Sequence, residues 1–156
     1  MIRQFFFTAL FIGSPTLVLA ECQENRVDLR GDWGQAAFTV DVADDPAERS
    51  QGLMNVPSMP RGAGMLFVYD APQRATFWMR NTLIPLDMIF ANENGVVTRV
   101  HENAVPLDET TIEGGNDVQY VLEINGGLAG RLGISPGTEL RHPSIGDDAA
   151  WMCDQG

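Results

Sequence analysis

Between positions 38 and 124 the chain is laid out as short apolar or alternating runs, each closed by glycine, proline, asparagine or aspartate. A chain patterned in this way buries its apolar side chains as strands, and it has too few helices to cover both faces of a doubly wound parallel sheet. "FTVDV" at 38–42 alternates apolar and polar residues and predicts a half-buried strand. "GMLFVY" at 64–69 is continuously apolar and predicts a strand covered on both faces. "ATFWMR" at 75–80, "LDMIFA" at 86–91, "VVTRVHE" at 96–102 and "VQYVLEI" at 118–124 add further strands, with "NENG" at 92–95 as a turn. Two short helices are expected. One opens with Asp45 before Pro46 and Glu48; the other ends at Gly133, ahead of a Pro136-Gly137 turn and a last strand. The expectation is an α+β, β-rich single domain of six or seven strands, a partly closed barrel-like sheet with two short helices.

The ends of the chain bear on where it works. Residues 1–20, "MIRQFFFTALFIGSPTLVLA", combine Arg3, an apolar run at 5–12 and a small residue at Ala20, the pattern of a cleaved signal peptide. Gly13, Ser14 and Pro15 break the run before it is long enough to span a bilayer. Glu21 ahead of Cys22 does not fit a lipoprotein signal. Residues 21–156 are therefore expected to form one soluble domain, periplasmic or secreted, with no membrane insertion after cleavage. Cys22 and Cys153 are the two cysteines of the chain and form no C-x-x-C pair, so a single structural disulfide joining the terminal tails is expected. The formal charge is −11, and loss of Arg3 with the leader makes it −12 (9 − 21). All ten basic residues are arginine. So acidic a chain does not suit nucleic acid or anionic lipid as a partner.

The densest chemistry lies at 77–90, "FWMRNTLIPLDMIF". Period-two alternation assigns Phe77, Met79, Leu86, Met88 and Phe90 to the core. Trp78, Arg80 and Asp87 meet on the other face if the two strands pair, with Asn81, Thr82 and Pro85 shaping the connection. On a structural account, Asp87 caps the turn, Arg80 pairs with a carboxylate and Trp78 covers the sheet. On a functional one, Trp78, Arg80, Asn81, Thr82, Asp87 and Glu123 form a shallow groove for a small polar ligand, such as a carbohydrate fragment, or for an envelope protein's peptide. The preferred expectation is a non-catalytic binding module without cofactor or metal. A hydrolase using Asp87 and Glu123, or His101 as base, is a second reading, although no G-x-S-x-G elbow or Cys–His nucleophile is present. A third is Cu(I) binding by Met54, Met59, Met65, Met79 and Met88, whose thioethers equally suit gaps in a core. His101 and His142 are far apart in sequence and make no zinc cluster.

Several motifs in order carry a family resemblance. They are Arg49 with Gly52-Leu53-Met54, the Gly64-Met65-Leu66-Phe67 run, the Trp78-Met79-Arg80-Asn81-Thr82 block, Pro85-Leu86-Asp87, and Tyr120-Val121-Leu122-Glu123. Over about residues 27–140 the chain resembles domain-of-unknown-function family 192. The resemblance implies a β-rich fold with short helices, often exported in bacteria, and no established reaction. The two cysteines lie outside it.

Overall fold

The computed structural model describes residues 22–154; the expected leader at 1–20 lies outside them. Strand β1 (Arg26–Gly31) alternates Val27 and Leu29, both fully buried, with Asp28 and Arg30. It forms an antiparallel hairpin with β2 (Gly34–Ala43), Val27 opposite Phe38. Helix α1 (Pro46–Gln51) starts as expected: the Asp45 carboxylate accepts the Glu48 N–H at 2.8 Å, and Pro46 fixes the first turn. It stops at Gly52, whose φ of +47° is one that L side chains resist.

The chain then returns parallel to β2 as β3 (Ala63–Phe77). The two strands expected at 64–69 and 75–80 are one long strand, irregular in register between Val68 and Thr76. Next come β4 (Leu86–Ala91), β5 (Val97–Ala104) and β6 (Ile112–Asn125), then helix α2 (Leu128–Leu132) ended by Gly133, and β7 (Glu139–Arg141). The expected strand count of six or seven holds, although β1 was not foreseen and β3 replaces two.

The seven strands form one mixed sheet in the order β5-β4-β6-β3-β2-β1-β7. Its outer strands meet at one end, where Val96 bridges Glu139 and the Val97 N–H donates to the Thr138 carbonyl at 2.8 Å. The result is a half-barrel. One face encloses Val27, Leu29, Val40, Leu66, Ile89 and Leu122, with Leu128 and Ala129 of α2 packed against them. The other holds Phe67, Met79, Leu86, Met88, Phe90 and Val121. Strand β4 lies between β5 and β6 and is buried at all six positions, including Asp87. Its sequence therefore had no solvent face to reveal.

Two expectations fail here. Strand β6 separates β3 from β4, so the strands carrying Trp78 and Asp87 do not pair. Phe77, expected in the core, is half-buried, with its ring edge-on to Phe67 and Phe90.

A Cys22–Cys153 disulfide joins the tails, with Cα atoms 5.4 Å apart. Beside it His142 is buried: its Nδ1 accepts the Ser144 N–H at 3.1 Å, so its Nε2–H donates to the Glu24 carbonyl at 2.8 Å. Burial lowers its pKa. No helix among the described residues is long and apolar enough to cross a membrane.

Candidate functional site

Asp87 and Glu123 show how alternation sorts chemistry. In the β4–β6 ladder Asp87 is opposite Ile124, and Met88 is opposite Glu123. Successive side chains point to opposite faces, so the two carboxylates lie on opposite sides of the sheet. They share no substrate, and the paired acid–base hydrolase reading fails on this geometry. Asp87 is fully buried and entirely occupied: Oδ1 accepts the Asn103 and Gly127 N–H groups at 2.8 Å each, and Oδ2 the Ala129 N–H at 2.7 Å. It fixes the end of β5 and the turn into α2, which makes it structural.

Glu123 has no such partners. It is 4% exposed, and among the described residues no donor hydrogen-bonds to its carboxylate and no cation pairs with it. Across the sheet it is flanked by Met65 on β3 and Met88 on β4. Burial pushes its pKa up to about 8, so it is mostly neutral at pH 7.

Its carboxyl group opens into a cleft of about 240 Å³. Arg49, Ser50 and Gln51 of α1 and the Gly52-Leu53-Met54 turn form one wall; Phe67, Tyr69, Thr76 and Phe77 of β3, with Trp78 and Thr82 beyond it, form the rest. The turn is shaped by Gly52, at which a Cβ would come within 3.3 Å of the Phe67 ring. The Asn55 N–H donates to the Asn81 carbonyl at 2.8 Å and holds the two walls together. Arg49 is fixed as well. Its Nη1 donates to the carbonyls of Asp44 and Val68, and its guanidinium lies 5.1 Å from the Tyr69 ring. Burial and the Glu123 charge raise the Tyr69 pKa, and Arg49 opposes them.

The residues singled out from sequence thus divide. Trp78, Thr82 and Glu123 line the cleft. Trp78 is 44% exposed, and the Arg80 guanidinium lies over its ring at 5.3 Å. Asn81, at a φ of +54°, turns its amide toward the Met54 sulfur at 3.9 Å. Asp87 lies across the sheet. The Met79 and Met88 side chains are fully buried in the core, Met54 lines the cleft, and Met59 and Met65 are half-buried. His101 faces a separate cavity with Met79 and Asp108. Arg49, Tyr69 and Phe77 were not assigned to a site from sequence, because Tyr69 and Phe77 reach Glu123 only through the β3–β6 pairing and Arg49 only through the docking of α1 on β3.

A larger cavity, about 790 Å³, lies between the β1–β2 turn and residues 133–139. Arg30 pairs with Glu139 and the Trp33 indole donates to Thr138, and the polar side chains of Asp32 and Gln35 are exposed to solvent rather than buried. Volume favours this cavity and chemistry the smaller cleft. Unpaired polar groups are what a ligand answers, so the cleft is the stronger candidate.

The model of DUF192, described as Uncharacterized ACR, matches residues 27–142. The chain belongs to this family. Four of the five segments that carried the resemblance contribute residues to the cleft: Arg49 to Met54, Phe67 of the Gly64–Phe67 run, the Trp78–Thr82 block and Glu123. A solved structure of a protein of unknown function from Novosphingobium aromaticivorans is 44% identical, with a TM-score of 0.72, and covers 74% of this chain and 82% of that one. A protein from Sinorhizobium meliloti, named as a candidate transcription regulator, is 42% identical, with a TM-score of 0.73, and covers 78% of this chain and 95% of that one. No curated protein matches the chain.

Proposed function

We propose that this DUF192 member is a non-catalytic binding module, exported from the cytoplasm, that takes a small ligand in the cleft over Glu123. The observation that carries this reading is a buried carboxyl group without a protein partner, opening into a cleft walled by Tyr69, Phe77 and Trp78. A fold tolerates such a group at a cost in stability, and perturbed titratable groups of this kind gather at binding and catalytic sites. The disulfide accords with an oxidising compartment. The name of the Sinorhizobium relative is not carried over, because a formal charge of −11 opposes binding to phosphate backbones.

Thermal-shift titration of the disulfide-intact protein against a panel of maltose, L-leucine, the peptide Gly-Gly-Leu and Cu(I) tests the reading. At least one member is expected to raise Tm by several degrees when present at a hundred times its Kd, about 2.7 kcal/mol of linkage. That shift should shrink in Glu123→Gln and in Trp78→Ala, which alters an exposed side chain. No shift from any member, or a shift equal in both variants, would overturn the reading.

A further inference from the structure

We infer that the cleft recognises a small zwitterion, an α-amino acid with an apolar side chain, whose ammonium group meets Glu123 and whose carboxylate meets Arg49. This rests on the cleft being the binding site and names its ligand class. Two oppositely charged residue types line the same cleft, yet among the described residues they form no ion pair with each other or with any other group. Arg49 commits Nη1 to two main-chain carbonyls, which orients the guanidinium, and its remaining N–H groups have no acceptor among the described residues. A planar fork held in this way suits a carboxylate. Glu123 is the complementary group at the floor.

A simple amine would leave Arg49 unanswered and face its charge. A simple carboxylate would answer Arg49 but bring no cation to Glu123, which would stay protonated. A neutral sugar would pair neither. A dipolar ligand bridges both groups, and Tyr69, Phe77 and Trp78 offer aromatic faces to an ammonium group and to an apolar side chain. Size agrees. At about 30 Å³ per water, a cleft of about 240 Å³ holds about eight waters, the bulk of a ligand such as leucine.

The proton balance is explicit. Free Glu123 is mostly protonated at pH 7. An ammonium ion seated against it favours the carboxylate, so the Glu123 proton leaves to the buffer and no covalent bond changes. The groups facing Glu123 are Arg49 from α1, Tyr69 from β3 and the uncharged Met65 and Met88 from β3 and β4; His101 lies one strand beyond Met88. Tyr69, raised by burial, stays protonated near neutral pH, so Glu123 supplies the proton.

Isothermal titration of the disulfide-intact protein at pH 7 decides it, with L-leucine, L-leucinamide (no carboxylate) and 4-methylpentanoate (no ammonium) as probes. Leucine is expected to bind at least about tenfold more tightly than either analogue, a difference of about 1.4 kcal/mol. Leucine titrations in two buffers of different ionisation enthalpy should show release of close to one proton per ligand. Arg49→Gln should erase the preference for leucine over leucinamide. Glu123→Gln should erase both the preference over 4-methylpentanoate and the proton release. The analogue comparison needs no variant, so it stands even if a substitution fails to fold. Leucine binding no better than its analogues, or without proton release, would overturn the inference. If leucine fails while maltose or Gly-Gly-Leu binds in a Glu123-dependent way, the α-amino-acid inference falls and the cleft keeps its role. If no probe depends on Glu123, both fall.

Discussion

Glu123 and Asp87 lie on adjacent strands, both buried and facing opposite sides of the sheet. Asp87 accepts three main-chain N–H groups, and removing it leaves buried donors without a partner. Asp87→Ala is expected to lower stability by about 3 kcal/mol or more, read from the urea midpoint. Glu123 acts in the other direction. Its folded pKa, about 8, lies above the ordinary 4.5, so the folded state holds an extra proton between those values. Its neutral form is accommodated in full below about pH 4.5, and stability is lost as pH rises through about 8. Glu123→Gln, neutral throughout, should match the native protein near pH 4.5 and exceed it by a few kcal/mol by pH 8 in thermal or urea unfolding. His142 has the opposite sign. Its pKa is lowered by burial, so its contribution is present above about pH 6.5 and lost as pH falls below that. The acid limb of the stability curve should flatten in His142→Gln.

Among the elements, the β3–β6 pairing builds the cleft floor by bringing Met65 opposite Glu123. It depends on Gly64, where a Cβ would run into the Glu123 carbonyl oxygen. Gly64→Ala is expected to force the strands apart at that point at a cost of about 1–3 kcal/mol, seen as a lower Tm. The local signals in the sequence were sound: Asp45 and Pro46 start α1, Gly133 ends α2, and Asn92 to Gly95 make a turn. Trp78 and Arg80 do lie together, at 5.3 Å. What alternation leaves open is which strand neighbours which. It placed Asp87 beside Trp78 because the segments are close in the chain, whereas β6, some thirty residues further on, enters between them. β1 carried a readable signal in Val27 and Leu29 alternating with Asp28 and Arg30. Arg49 belonged to the resemblance, but only the fold brings it into the same cleft as Glu123.

At the scale of the molecule, a half-barrel whose outer strands meet at one end has its tails joined by Cys22–Cys153, across 131 residues of sequence. In the chain-entropy model a loop of that length stabilises the fold by up to about 5 kcal/mol. The Cys22→Ser/Cys153→Ser double variant should unfold at lower urea, by no more than that amount, with the cleft retained. The cleft brings a guanidinium with unused N–H groups and a buried carboxyl group without a protein partner to one place, and a ligand answering both is the central claim. Carbon-13 NMR titration of the glutamate side-chain carboxyls of the whole protein tests it most directly. One carboxyl should titrate near pH 8, vanish in Glu123→Gln, and move to lower pH when the cleft ligand is added. If every glutamate carboxyl titrates in the ordinary range, or if the raised one is unmoved by every probe that binds, the claim is contradicted.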